Sequence, residues 1–365
     1  MKDRFIKDKR SITAINNESK RGKSVLNEIR KDYLLDRWVI IASERAKRPT
    51  DFLTKGSEKI ETKTENCPFC PGNERMTPQA FLLYVPKNGG IRREKDHDGE
   101  RRKDWLVRCI PNLYPALTSR ESVPLSSNEL LKRVDGVGTH EVIVESPHHD
   151  EHPDRAPLKQ VELVVQAYLD RLESLSKWNY VTIFRNHRKE AGASLSHAHS
   201  QIIATPMIPK TILDELTAVK TKHQQTGVCP YCKIIELERN GPRHIYENKN
   251  FVAFAPWASV YPFEFWLLPK RHQQTLLQLR DDERKDLAKA LRACLSGLAK
   301  ILKDPPYCYG FHIAPTKEKH EYFHWHLEVY PKLTIHAGFE ISTGMFINVT
   351  PPEIAAESLR NSNSL

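Results

Sequence analysis

Two stretches of this chain nearly repeat each other, and that repeat limits what the chain can fold into. The first is Ser196-His197-Ala198-His199-Ser200-Gln201; the second is Phe323-His324-Trp325-His326-Leu327-Glu328-Val329-Tyr330-Pro331. A strand sends residues i, i+2 and i+4 to one side, so His197, His199 and Gln201 are predicted to address one ligand together. The same elements precede each stretch in the same order. A cysteine knuckle comes first, Cys67-Pro68-Phe69-Cys70 and Cys229-Pro230-Tyr231-Cys232. A hydrophobic strand entering a Pro/aromatic turn follows (107–115; 252–257), and then a second strand closed by Pro147 or Pro269 (140–144; 263–267).

One amphipathic helix follows in each copy. Val161, Val164, Val165, Tyr168, Leu169 and Leu172 recur at helical spacing in the first, and Leu287, Leu291, Cys294, Leu295, Leu298 and Ile301 in the second. Cys294 is thereby assigned to the core. Another strand (181–184; 309–313) leads into each His-x-His stretch. Strands, a helix and more strands predict an α+β fold with antiparallel sheets, built twice. The predicted divisions are a basic tail over 1–28, a first repeat over 29–210, a second over 211–353 and a C-terminal tail over 354–365.

A length of 365 residues is ample for such a core. Hydrophobic content of 39%, charged content of 28% and a mean hydropathy of −0.56 describe an ordinary globular protein. No apolar run is long enough to span a bilayer. The opening residues are too charged for a secretory signal, so a cytoplasmic location is expected. The net charge of +10 points to anionic partners, and part of it sits in the first thirty residues.

Seven cysteines in a cytosolic chain read first as metal ligands where they pair. Zinc takes about four N or S ligands, and a C-x-x-C supplies two from one tight turn. Neither knuckle has a second cysteine pair at ribbon spacing, so histidines must complete each set. The first site is read as Cys67, Cys70, His140 and His197. The second is read as Cys229, Cys232, His272 and His324, with His312 competing for the third position. Four protein ligands leave no open position, so both zincs are expected to be structural.

With His197 committed to metal, His199 is free to react. A neutral imidazole attacks phosphorus near pH 7 when a hydrogen bond aims its lone pair, giving a nucleotidyl-histidine. Gln201 can donate an amide N–H to the phosphoryl oxygen where charge builds up. An amide cannot act as a general acid, so the leaving group must depart unaided, as a sugar phosphate or pyrophosphate does. The second copy has Glu328 at the equivalent place, and its carboxylate would repel an incoming phosphate. His326 is therefore read as structural or vestigial.

At these residues the chain resembles the galactose-1-phosphate uridylyltransferase family, the transferase branch of the histidine-triad superfamily. The likeness runs from about Arg30 to Thr350 and includes the segments 37–49, 112–115, 138–142 and 338–340. It implies a duplicated histidine-triad-like fold of two half-barrel repeats with flanking helices, usually as a homodimer. It also implies a ping-pong reaction in which UDP-glucose uridylylates His199, glucose 1-phosphate leaves, and galactose 1-phosphate collects the uridylyl group. By motif position, His199 is the nucleophile and Gln201 the phosphoryl donor. Asn186, Gly192 and Ser194 match substrate-phosphate contacts, Arg45 and Arg48 a basic segment near the phosphates, and Asn112 a nucleotide contact. Glu340 matches the substrate-binding Gly-aromatic-Glu motif, and Cys67, Cys70, His140 and His197 match the zinc set.

Three positions depart from the family pattern. Ala198 replaces the usual proline between the motif histidines, and the second metal site carries a cysteine pair. Ser342-Thr343-Gly344 stands where a polar Glu-Thr-Gln segment often contacts the hexose. The last two resemble the plant ADP-glucose phosphorylase branch, in which adenylyl-histidine passes its nucleotide to phosphate. Uridylyl transfer is the first reading and adenylyl transfer to phosphate the second. A zinc-stabilised nucleic-acid-binding protein is a third, which steep salt dependence and no labelling by nucleotide sugar would reveal. Gln201 disfavours a dinucleotide hydrolase.

Overall fold

The computed structural model describes residues 27–43, 49–52, 64–97, 99–118, 130–131 and 133–363. The tail predicted over 1–28 lies almost wholly outside them, as do Arg45 and Arg48. The strands are β1 Glu28–Lys31, β2 Trp38–Ile41, β3 Leu82–Lys87, β4 Gly90–Glu94, β5 Val107–Pro111, β6 Thr139–Val144, β7 Tyr180–His187 and β8 His199–Thr205. They continue as β9 His244–Glu247, β10 Phe251–Phe254, β11 Phe265–Pro269, β12 Tyr307–His312, β13 His326–Pro331 and β14 Phe346–Asn348. The helices are α1 Leu158–Ser174, α2 Lys210–Thr226, α3 Pro230–Glu238, α4 Asp281–Leu302, α5 Gly338–Thr343 and α6 Pro352–Asn363.

Eleven strands form one sheet in the order β4-β3-β5-β6-β8-β7-β12-β13-β11-β10-β9. Every pairing in it is antiparallel. The run β5-β6-β8-β7 and the run β10-β11-β13-β12 meet at the β7–β12 pairing, where Tyr307 faces His187 and Gly310 faces Phe184. Each strand of one run has the predicted counterpart in the other, so the two His-x-His strands occupy matching places. A smaller sheet orders β1-β2-β14, with β14 parallel to β2.

The helices pack where their apolar stripes direct them. α1 buries Val161, Val164, Val165, Tyr168, Leu169 and Leu172. α4 buries Leu287, Leu291, Cys294, Leu295 and Leu298, and both stripes belong to one large core with the sheet. Each fully buried leucine or valine there contributes roughly 1.5–3 kcal/mol. Acidic Asp281, Asp282 and Glu283 open α4, where the helix dipole favours negative charge, and the Glu283 carboxylate accepts the Arg280 N–H at 2.7 Å.

Two expectations need correcting. Over 354–363 the expected tail is a packed helix, since α6 buries Ala355, Ala356 and Leu359 and its Glu353 pairs with Arg30 and Arg243. Two alanines and one leucine among Ser, Asn and Glu gave too faint a stripe to read. The His-x-His stretch also differs: β8 begins at His199, and His197 lies in the turn before it. His197 can therefore turn toward the cysteines while His199 and Gln201 remain on the strand. Among the described residues no helix is long and apolar enough to cross a membrane.

Candidate active site and metal clusters

Register decides which histidine joins the first knuckle. On β6, Val144 faces His199 and His140 faces Ile203, four residues farther along. Four residues of strand span about 13 Å, so His140 lies well away from His197. The segment that follows β6 passes beside His197 instead and brings His149. Cys67, Cys70, His149 and His197 have ligand atoms all within 4.8 Å of one another. The assignment of His140 is thus corrected to His149. A sequence signal for it existed, because His149 follows Pro147 much as His272 follows Pro269.

The orientation of each imidazole suits a metal. His197 Nε2 donates to the Ser146 carbonyl at 2.8 Å, which turns Nδ1 toward Cys67 Sγ at 3.6 Å and Cys70 Sγ at 3.5 Å. His149 Nε2 meets Ser196 Oγ at 2.8 Å, and its Nδ1 lies 3.3 Å from Cys70 Sγ. Burial and the neighbouring Cys67 push the Cys70 thiol up to about 12, and burial pulls His197 down to about 4. A dication placed among them would favour thiolate and neutral imidazole together.

The second knuckle gathers the predicted set. Cys229, Cys232, His272 and His324 lie within the same 4.8 Å limit. His272 Nδ1 and His324 Nδ1 are each 3.5 Å from Cys232 Sγ, and His272 Nε2 donates to the Glu321 carbonyl at 2.8 Å. Two thiols with two imidazoles fit zinc in both clusters.

His312, the competitor for that set, sits in a third group that sequence reasoning missed: Glu215, His312, His326 and Glu328. His312 Nδ1 pairs with Glu215 at 2.7 Å, and His326 Nε2 meets Glu328 at 3.1 Å. Burial opposes charge on His312, yet Glu215 and Glu328 raise it to about 9. These four could also hold a metal ion. Glu215 comes from α2, between β8 and the second knuckle, where comparing the repeats gave no signal for it.

His199 is 6% exposed, and its Nδ1 donates to its neighbour's carbonyl, His197 O, at 2.8 Å. That bond fixes the tautomer and leaves the lone pair on Nε2. Burial, reinforced by the Arg185 cation, holds its pKa below the ordinary imidazole range. Phe69, from the knuckle, packs edge-on against the ring with centroids 5.4 Å apart. Arg185 is itself buried, bound by Glu145 at 3.1 Å and by the Tyr307 hydroxyl at 3.0 Å. In the sequence it reads as part of a polar stretch, 184–187, that could close around phosphates; the structure instead buries it within β7.

Gln201 faces Val142 on β6 and Phe184 on β7. Asn112 and His140 converge on its amide oxygen, at 3.4 and 2.7 Å. Asn186, on β7, is half-buried beside Gly192, whose φ of +87° suits glycine. Ser194 is exposed on the same loop. Glu340 accepts the Ala337 N–H at 2.9 Å and so caps the start of α5. A surface cleft of about 800 Å³ flanks Cys70 and His149; neither His199 nor Gln201 lines it.

Sheet, knuckles and the two His-x-His stretches together define an α+β protein with two matching strand runs and a buried histidine, His199 or His326, on each. The models of the N-terminal and C-terminal domains of galactose-1-phosphate uridyl transferase match residues 102–209 and 180–363. The chain belongs to the galactose-1-phosphate uridylyltransferase family. It is 37% identical to ADP-glucose phosphorylase of Arabidopsis thaliana, over 93% of this chain and 95% of that protein. It is 32% identical to galactose-1-phosphate uridylyltransferase of Thermotoga maritima, over 91% of this chain and 98% of that protein. The crystal structure of an Arabidopsis thaliana ADP-glucose phosphorylase with bound ADP-glucose superimposes with a TM-score of 0.74 and 33% identity, covering 92% of this chain and 99% of that one.

Proposed function

We propose that this protein is a nucleotidyltransferase working by a ping-pong mechanism through a nucleotidyl-His199 intermediate. One observation carries the reading: the Nδ1 bond of His199 to the His197 carbonyl leaves an Nε2 lone pair on a neutral ring. That nitrogen attacks the α-phosphorus of a nucleotide sugar, the P–N bond forms, and the P–O bond to the sugar phosphate breaks. The sugar phosphate departs as an anion without needing a proton. An acceptor phosphate oxygen then attacks the same phosphorus and releases His199. Gln201 donates its amide N–H to the phosphoryl oxygen in both steps. Asn112, Asn186, Gly192 and Ser194 contact the substrate phosphates and nucleotide, together with Arg45, Arg48 and Glu340. The two S2N2 clusters hold zinc, and zinc here supplies rigidity, His197 being the link between the first ion and His199. We read the chain as an internal duplication of a half-barrel, active as a cytoplasmic homodimer.

The first reading of the substrates is UDP-glucose and galactose 1-phosphate, the reaction that names the family. A second reading, ADP-glucose and inorganic phosphate, is favoured by Ser342-Thr343-Gly344, by the paired cysteines of the second cluster and by the 37% identical plant relative. Quenched incubation with UDP-glucose or ADP-glucose, followed by intact-mass measurement, tests both. A uridylyl or adenylyl adduct identifies the donor, and its discharge by galactose 1-phosphate or by phosphate identifies the acceptor. Absence of any adduct contradicts the function.

A further inference from the structure

Removed from the metal site, His140 takes a different place in the molecule. We propose that His140 is a positioning residue that locks the side-chain amide of Gln201 with its NH2 end toward the reacting phosphoryl group. The proposal rests on the nucleotidyl-transfer reading above.

The backbone N–H of Ala116 points at His140 Nδ1 at 3.0 Å. A backbone N–H can only donate, so Nδ1 is the unprotonated nitrogen and the ring proton sits on Nε2. His140 Nε2 lies 2.7 Å from Gln201 Oε1 and donates to it. Asn112 is fixed independently, because its Oδ1 accepts the Tyr114 N–H at 2.9 Å. Its Nδ2 therefore faces inward, 3.1 Å from His140 Nε2 and 3.4 Å from Gln201 Oε1. With Nε2 already protonated, the Asn112 donor is directed to Gln201 Oε1, which receives two hydrogen bonds.

A flipped Gln201 would set its NH2 against both donors and lose both bonds. It would also present a carbonyl oxygen to an anionic phosphoryl group. An amide free to rotate would spend part of its time in that repulsive orientation; the two donors prevent it.

The turn that carries Asn112 and Ala116 is itself clamped to the sheet. Asn112 N donates to the His140 carbonyl at 2.9 Å, and Gly138 N to the Thr118 carbonyl at 2.9 Å. A Cβ on Gly138 would come within 2.4 Å of the Ala204 carbonyl and 2.5 Å of Leu117, so only glycine lets the turn close this tightly. The tautomer of His140 is thus set by backbone, and the amide of Gln201 by His140.

The test uses the full chain in single turnover with UDP-glucose and ADP-glucose. His140→Ala slows nucleotidylation of His199 on the order of tenfold, less than the 10²–10³ that follows outright loss of an oxyanion donor. Donor Kd moves by less than about twofold. His140→Gln, which retains a donor at the Nε2 position, recovers the rate to within about threefold of wild type. In a Gln201→Ala background, His140→Ala has less than about a twofold further effect, because its target is gone. A full tenfold loss in both backgrounds would mean His140 acts independently of Gln201, and the proposal would be overturned. Nitrogen-15 NMR of histidine-labelled protein, with the His140 signal assigned by its loss in His140→Gln, should show the Nε2-protonated tautomer; an Nδ1-protonated ring overturns the proposal. If wild type forms no adduct, the proposed function fails, while the NMR result still decides the arrangement inferred here.

Discussion

His199 and His326 hold matching places in the two strand runs, yet their surroundings give them opposite character. Both rings rest one nitrogen near the carbonyl two residues back, at 2.8 Å for His199 and 3.2 Å for His326. An aromatic residue of the knuckle packs on each, Phe69 on His199 and Tyr231 on His326 at 4.7 Å. They part at the second nitrogen. The Nδ1 bond of His199 leaves the lone pair on Nε2, whereas His326 Nε2 is engaged by the Glu328 carboxylate. Glu328 also takes the Tyr330 hydroxyl, so its site is satisfied from within the protein. Gln201 stands where Glu328 does, and the second run adds Glu215 and His312 around its histidine. The shared scaffold positions a histidine in each run, and the proposed chemistry assigns the difference between them to their neighbours.

The largest expected effect is at the nucleophile. His199→Ala should lower nucleotidylation by at least about 10³-fold, and His326→Ala by less than about threefold, measured in single turnover. Equal losses would erase the distinction between repeats. Gln201→Glu, which imports the second repeat's carboxylate, should cost at least the roughly 10²–10³ of a lost oxyanion donor, because it adds repulsion. Gln201→Ala, which only removes the donor, should cost somewhat less.

Metal removal sharpens the same contrast. Cys70→Ser should lower both thermal stability and adduct formation, since the backbone of His197 holds His199. Cys232→Ser should destabilise by a similar amount, on the order of a few kcal/mol, with adduct formation at low temperature falling less than about threefold. Metal analysis beside calorimetry checks both variants. Matched activity losses would mean the second cluster also supports the chemistry.

The smallest effect concerns pH. Burial lowers the pKa of His199, so its nucleophilic form persists through neutral pH, and the rate should fall only as pH drops below the ordinary imidazole range of about 6.5. His312 is raised to about 9 by Glu215 and Glu328, against its burial. A raised histidine stabilises fully below its unfolded value of about 6.5, and that stabilisation is lost as pH climbs through about 9. Urea midpoints should therefore decline by the equivalent of about 1–2 kcal/mol from pH 7 to 10, and Glu215→Gln should flatten the decline. A profile unchanged by that substitution would remove the charged pair.

Much of this architecture was legible because period carries it. The spacing of Val161 to Leu172 and of Leu287 to Leu298 marked the helices, and the knuckles marked the two Cys/His clusters. The place of His149 in the first Cys/His cluster was hidden by register: which residue of β6 lies near His197 depends on pairing, and in one dimension His140 is as well placed. Glu215 was hidden for a related reason, since it comes from α2, ahead of the elements that the two repeats share. Packing of α6 through Ala355 and Ala356 left almost no hydropathy signal. Sequence period revealed the elements; strand register, which only the folded sheet displays, chose the side chains that meet.

Peptide mapping of the nucleotidylated protein tests the central claim most directly. After incubation with UDP-glucose or ADP-glucose and a neutral or alkaline quench, the phosphoramidate should reside on the peptide carrying His199 and be missing from the one carrying His326. A label on His326, or one that persists undiminished in His199→Ala, would contradict the account.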